Sequence, residues 1–159
     1  MRSALFATVM LSVAAVAAVG AAADAQPKTP PPPPTVSCQF VEISASTGDK
    51  PSMDADLEKL KKKLAKPPFS SWNQFKLLMK ADKTLTAKKA EAIQLKLGKA
   101  EATLLGIVNQ NQVRLTISID DAAGKNFVNN TSTFAAGDYL VFGHSLPNND
   151  GHLLALTCK

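Results

Sequence analysis

Apolar and polar residues alternate along three consecutive stretches of residues 90–120, the pattern of β-strands that expose one side to solvent. The alternation is cleanest in the third stretch, where Val113, Leu115, Ile117 and Ile119 are separated by polar residues. Gly98-Lys99 suits a two-residue hairpin turn, and residues 109–112 form a second turn signal. The sequence therefore predicts a three-stranded antiparallel meander.

The two turns also predict a strand register in which one set of side chains faces the core. The first turn predicts these pairs: Leu97 with Ala100, Leu95 with Ala102, and Ile93 with Leu104. The second turn predicts these pairs: Val108 with Val113, Gly106 with Leu115, Leu104 with Ile117, and Ala102 with Ile119. Small residues of the middle strand would thus lie beside large residues of its neighbours.

A first strand is predicted near the start of the folded region. Its apolar residues change parity midway: Val36, Cys38 and Phe40, then Val41, Ile43 and Ala45. This change predicts a β-bulge between Phe40 and Val41.

A short amphipathic helix is predicted next, capped by Ser52 or Asp54 and ended by Pro67-Pro68. Its apolar residues follow helical spacing and form one stripe: Met53, Leu57, Leu60 and Leu64.

Three aromatic residues, Phe69, Trp72 and Phe75, cluster after this helix. They could form a ligand platform, but large aromatic residues more often pack a helix-to-strand crossing onto a sheet, so we predict a core role. The strand that follows is predicted to separate apolar residues from lysines: Phe75, Leu77 and Met79 on one side, Lys76 and Lys80 on the other.

The last third of the chain predicts three more strands. Residues 125–134 are polar and suit a sheet edge, whereas residues 139–144 are apolar at both parities and predict burial on both faces. Residues 152–158 predict an apolar final strand. The predicted fold is mainly β, an antiparallel β-sandwich or flattened barrel with one short N-terminal amphipathic helix.

The N-terminus reads as an export signal. Residues 4–23 are apolar and end at Ala23-Asp24-Ala25, which predicts a cleaved signal peptide over residues 1–25. An uncleaved membrane anchor is the alternative; after cleavage no transmembrane span would remain. Residues 26–35 are rich in proline and predict a stiff spacer, or a motif for a proline-recognition module. A single domain is predicted over residues 36–159, in a periplasmic or secreted, hence extracytoplasmic, setting.

The only two cysteines, Cys38 and Cys158, lie in the first and last predicted strands. In an exported chain such a pair predicts a disulfide, with two separate buried thiols as the alternative.

The formal charge of +5 is unevenly distributed, because residues 59–99 contain 12 lysines and only two acidic residues. Six of these lysines are candidates for binding an anionic surface: Lys61, Lys62, Lys63, Lys66, Lys76 and Lys80. The alternative is an ordinary solvated face.

Residues suited to catalysis are sparse. His144 and His152 could face each other across a hairpin and, with Asp150, outline a metal site, but their spacing matches no compact ligand motif. Asp120 and Asp121 are adjacent in a strand and would point to opposite faces. We therefore predict no catalytic residue, no metal, no cofactor and no enzyme. Export also argues against a nucleic-acid partner.

Four segments carry a resemblance: KPPFSSW at residues 66–72, FKLL at 75–78, AGDYLV at 136–141 and GHLLAL at 151–156. They resemble an uncharacterised group of exported bacterial β-domain proteins, over most of the chain from Val36 onward. The resemblance implies a bacterial, extracytoplasmic setting and carries no function or catalytic residues.

Three functional classes remain. The first is a non-catalytic cell-envelope module, binding or structural, whose unknown partner could be an envelope protein or an anionic envelope polymer. The others are a soluble binder of an anionic ligand or polymer, and a small hydrolase with an unrecognised site. A convergent pocket of polar groups would favour an enzyme, whereas a flat basic face or an exposed strand edge would favour a module.

Overall fold

A computed structural model describes residues 30–159; the predicted signal peptide lies outside the described residues and, like export itself, stays a prediction. The first of two sheets has the order β2-β3-β1-β9-β8, and the second has the order β4-β5-β6-β7. The strands of the first sheet are β1 (Thr35–Ser46), β2 (Ser52–Met53), β3 (Gln74–Thr86), β8 (Leu140–Ser145) and β9 (Gly151–Cys158). The strands of the second are β4 (Ala90–Gln94), β5 (Gly98–Val108), β6 (Gln112–Asp121) and β7 (Asn126–Ala135). This mainly antiparallel, sandwich-like arrangement confirms the predicted fold class.

Strand β1 is the central element, because both of its faces are covered. Val36, Cys38 and Phe40 pack between the two sheets, whereas Val41, Ile43 and Ala45 pack beneath a short helical segment on the other face. The change of parity therefore reflects which face of β1 is covered by apolar side chains in each half of the strand. It does not mark a bulge in the backbone. The predicted bulge between Phe40 and Val41 is wrong, since β1 pairs with β9 without interruption from Cys38 to Ala45.

A bulge does occur, but in β3. Glu42 pairs with Met79 and Ile43 with Leu77, which leaves Leu78 as the extra residue. Two predictions for this strand are consequently wrong. Met79 faces the second sheet while Phe75 and Leu77 face the helical segment, and Lys76 and Lys80 lie on opposite faces.

The helical segment consists of a 3₁₀ turn, Ala55–Leu60, and one α-helical turn, α1 (Lys61–Leu64). Leu57, Leu60 and Leu64 are buried as predicted, but Met53 belongs to β2. Asp54 precedes the segment without capping it, because its carboxylate accepts a hydrogen bond from the Leu77 amide at 2.8 Å. The apolar stripe was thus predictable from the sequence. The predicted Asp54 cap is absent because the Asp54 carboxylate binds β3 instead.

The predicted meander is present as β4, β5 and β6, but its register is wrong, by four residues between β4 and β5 and by two residues between β5 and β6 up to Leu104. Ile93 pairs with Ala100, so the first loop is Lys96-Leu97 rather than Gly98-Lys99. The second loop has three residues, 109–111, and a bulge at Leu105 restores the parity that an odd loop would reverse. Gly106 consequently pairs with Arg114, not with Leu115.

Most core-facing residues of the meander survive this shift, since an even slip keeps each side chain on its face. Gly106 and Val108 do not, because beyond the bulge they pair with Arg114 and Gln112 on the outer face. The buried residues include Ile93, Ala100, Ala102, Leu104, Val113, Leu115, Ile117 and Ile119.

The last three strands, β7, β8 and β9, differ in how well their sequences predict them. The polar strand β7 lies at one edge of the second sheet, as predicted, while all eight residues of β9 are buried inside the first sheet, between β1 and β8. Strand β8 was predicted to be buried on both faces, and this is wrong. It forms the other edge of the first sheet and is partly exposed throughout.

Replacing Ala102 with leucine is expected to lower the free energy of unfolding by about 1–3 kcal/mol, because the extra atoms overfill a packed site. Ala102 is fully buried and pairs with Ile117. Thr116→Leu is the control, on the outer face of the same sheet, where only a hydroxyl contact with Thr131 is lost. Urea unfolding of both variants measures the difference, and equal losses would contradict the assignment of faces.

Candidate functional site

A polar cleft opens on the face of the first sheet that points away from the second. Its floor is a row of three side chains on adjacent strands, Asp82 on β3, Gln39 on β1 and Thr157 on β9. The cleft has a volume of 590 Å³, which lies within the range of small-molecule sites. Its remaining walls are formed by Ser37, Lys59, Gly137, Tyr139 and Lys159. We refer to it as the polar cleft.

The sequence of β1 explains why the cleft lies here. On this face the strand presents polar Ser37 and Gln39 first, and apolar Val41, Ile43 and Ala45 afterwards. The apolar half is covered by the helical segment, whose Leu57 and Leu60 pack in the same core. Since the segment stops short of the polar half, the sheet stays open there.

The hydroxyl group of Thr157 is the least satisfied group in the cleft. The residue is only 7% exposed, and its Oγ1 has no hydrogen-bond partner among the described residues. A buried hydroxyl without a partner costs about 1–3 kcal/mol. Beside it, Gln39 donates a hydrogen bond from Nε2 to Asp82 Oδ1 at 3.1 Å. The side-chain amide oxygen of Gln39 accepts no hydrogen bond from another side chain among the described residues.

Sequence reasoning missed this cleft, because none of its residues forms a motif. One local signal existed. Thr157 is polar within the otherwise apolar run of β9 and shares the parity of Leu153 and Ala155, which are core residues. The rest depends on the adjacency of β3, β1 and β9, which no turn or spacing predicts.

The most chemically distinctive cluster is buried between the sheets and is centred on Glu42. Its carboxylate accepts hydrogen bonds from the backbone amides of Lys96 at 2.7 Å and Leu97 at 2.8 Å. It also lies 2.9 Å from Nε2 of His152, and both side chains are almost completely buried, at 0% and 1% exposed. Glu42 thus fastens the β4–β5 loop of the second sheet to the first.

His144 and His152 face each other directly across β8 and β9, as predicted for a hairpin. Their ring centroids are 5.7 Å apart, and the ring of Phe127 lies 3.8 Å from that of His144. Asp150 does not join them, because its carboxylate accepts a hydrogen bond from Asn148 within the turn. Over residues 30–159, no group of three or more His, Cys, Asp or Glu side chains is arranged to hold a metal ion.

Two groups of this cluster have shifted pKa values. Burial alone would raise the pKa of Glu42, but the hydrogen bonds from His152, Lys96 and Leu97 outweigh it and hold that pKa below 4.5. Burial lowers the pKa of His144 below 6.5, with repulsion from His152 and Lys125 adding to the effect and Asp121 opposing it.

Stability is therefore expected to fall as the pH decreases. The unfolded chain binds a proton at residue 144 more readily than the folded one, so the contribution of His144 is complete above pH 6.5 and is lost as the pH falls through the lowered folded pKa. The contribution of Glu42 is complete above pH 4.5 and is lost below it in the same way. Urea midpoints from pH 8 to pH 4 measure this, and His144→Gln should remove the first decline. A midpoint that stays constant across that range would contradict the prediction.

The six candidate lysines are not brought onto one basic surface. Lys61 pairs with Glu58 at 3.3 Å, Lys63 with Asp138 at 3.1 Å and Lys80 with Asp56 at 2.7 Å. Lys62 and Lys66 are exposed and form no ion pair within the described part of the chain, and Lys76 lies on the opposite face of the sheet from Lys80. Binding of an anionic surface stays a prediction.

The aromatic cluster is part of the core, which confirms the interpretation made from the sequence. Trp72 and Phe75 are buried and Phe69 packs against them. The indole Nε1 of Trp72 donates to the carbonyl of Asn149 at 2.7 Å, so its polar atom is already satisfied.

Fold and site together define a disulfide-bridged, antiparallel β-sandwich with a polar cleft on the outer face of one sheet. The bridge joins Cys38 to Cys158, as predicted. Among the described residues, no helix has the length and apolar character needed to cross a membrane. No protein-family model, curated protein or solved structure matches this chain. Its resemblance to exported bacterial proteins stays a prediction.

Proposed function

We propose that this chain is a non-catalytic, extracytoplasmic binding module that holds its ligand or partner in the polar cleft. The observation that carries the proposal is that the close carboxylate–histidine pair of the described residues lies outside the cleft. A general acid or base must reach its substrate. Glu42 and His152 are the only close carboxylate–histidine pair in the described residues, and they are sealed between the sheets.

The polar cleft offers binding groups instead. A convergent pocket of polar groups is the feature expected from the sequence to favour an enzyme, but nucleophilic catalysis also requires a nucleophile beside a base. Here the groups lie in a row along the sheet, and the cleft's carboxylate, Asp82, is exposed and already accepts a hydrogen bond from Gln39. This arrangement suits recognition of a polar ligand better than activation of one.

Two features support the extracytoplasmic setting. The disulfide between Cys38 and Cys158 belongs to an oxidising compartment. The apolar run of residues 4–23 with its small-residue ending is typical of an export signal.

A photoreactive amino acid at Ser37, an exposed residue on the cleft wall, is expected to cross-link the exported protein to a discrete cell-envelope component. The same residue at Asn129, an exposed position of β7 in the second sheet, is the matched control. Denaturing electrophoresis after irradiation of whole cells measures the adducts. Identical adducts at both positions, or none at Ser37, would overturn the proposal.

A further inference from the structure

We infer that the polar cleft binds a carbohydrate, with one sugar ring against Tyr139 and its hydroxyl groups bonded to Asp82, Gln39 and Thr157. This inference rests on the proposed function and names the chemical class of its ligand. It is carried by the composition of the cleft floor and by the unsatisfied hydroxyl group within it.

The floor offers the combination of donors and acceptors that sugar hydroxyls require. A sugar hydroxyl both donates and accepts, and the row presents an acceptor-only carboxylate, an amide oxygen and a hydroxyl that does either. Asp82, Gln39 and Thr157 occupy directly paired positions on neighbouring strands. Adjacent strands lie about 4.8 Å apart, a spacing comparable to that between hydroxyl groups on non-neighbouring carbons of one sugar ring.

Thr157 points independently to a hydroxylated ligand. The residue lines the cleft, and its hydroxyl oxygen is buried without a hydrogen-bond partner in the described residues. A ligand that donates to this oxygen, or accepts from it, would remove the cost of leaving it unpaired.

Tyr139 and Lys59 complete the site. Tyr139 is partly buried, and its ring packs against the core beneath the helical segment, so it offers a fixed aromatic surface beside the row. Lys59 is exposed on the adjoining wall and forms no ion pair within the described residues, so its ammonium can donate to a sugar oxygen.

The geometry favours a sugar over an extended peptide. Peptides commonly bind by adding a strand to a free sheet edge. At the cleft the backbone is already paired, with reciprocal hydrogen bonds between Ser37 and Lys159 and another from Gly137 to the carbonyl of Cys158. The groups left to a ligand are side chains on the face of the sheet.

The test is a titration of the ¹⁵N-labelled mature protein with a hexose, an N-acetylhexosamine and a hexuronic acid, followed by amide chemical shifts. Glycerol and inorganic phosphate are the negative controls. Shifts are expected at Gln39, Thr157 and Tyr139 with at least one sugar and with neither control. No shift with any sugar, or equal shifts with glycerol or phosphate, would overturn the inference.

Thr157→Val separates binding from folding, because valine keeps the shape of threonine and removes only the unpaired hydroxyl. The variant is expected to raise the Kd for the sugar at least tenfold while its thermal midpoint stays equal or increases. Thr116→Val, on the outer face of the second sheet, is the matched control and should leave the Kd unchanged. An unchanged Kd for Thr157→Val would show that this hydroxyl is not a ligand group. A lowered thermal midpoint would show that the hydroxyl already has a partner in the folded chain, which would remove the basis of the inference.

The two proposals fail in different ways. If no sugar binds but a probe at Ser37 still captures an envelope protein, the carbohydrate inference is wrong and the binding module stands. If neither occurs, both are wrong.

Discussion

Replacing Glu42 with alanine is expected to lower the free energy of unfolding by about 3–5 kcal/mol, the typical cost of removing one partner from a buried charged network. The variant leaves the amides of Lys96 and Leu97 and Nε2 of His152 without their acceptor. Such a loss is a large share of the roughly 5–15 kcal/mol that stabilises an ordinary domain. Urea unfolding measures it.

Two comparisons make this test specific. Glu101→Ala removes an exposed carboxylate from β5 and should change stability by no more than about 0.5 kcal/mol. Glu42→Gln keeps one acceptor oxygen and should lie between the other two. In the Glu42 variants, the amide protons of Lys96 and Leu97 should exchange with solvent much faster. Unchanged exchange at these two amides would show that the loop is held by other contacts.

Removing the disulfide is expected to cost about 2–5 kcal/mol, near the upper end because the loop is long. Cys38 and Cys158 are 120 residues apart in sequence and pair directly on β1 and β9. In the chain-entropy model a loop of this size restricts the unfolded chain by nearly 5 kcal/mol. The double variant Cys38→Ala/Cys158→Ala should therefore unfold at a markedly lower urea concentration.

The reduced natural protein is the control for the packing changes that alanine introduces. Because the chain has no other cysteine, reduction cannot lead to alternative pairing. If the reduced and oxidised proteins unfold at the same urea concentration, the bridge contributes nothing to stability.

Which side chains face the core was largely predictable, since alternation within a strand is a local property. Ala102, Leu104, Ile117 and Ile119 face inward as expected, even though their partners differ from those predicted. The mutual position of His144 and His152 was predictable for the same reason, because a dense turn signal separates them.

Register was not predictable, because a distant residue determines it. The turn residues favoured a loop at Gly98-Lys99, but Glu42 binds the amides of Lys96 and Leu97, 54 and 55 residues away in sequence. A buried carboxylate that satisfies two amides outweighs the modest preference of one glycine for a turn position. The polar cleft was hidden in the same way, because its floor is assembled from three strands that are remote in sequence.

The position of β1 has a consequence for cooperativity. Both hydrophobic cores, the disulfide and the Glu42 network include residues of this one strand. Neither sheet can therefore separate from β1 without breaking contacts that also stabilise the rest of the sandwich. Local opening at β1 should accordingly cost nearly as much free energy as global unfolding, so the sandwich behaves as one cooperative unit rather than as two that melt in sequence.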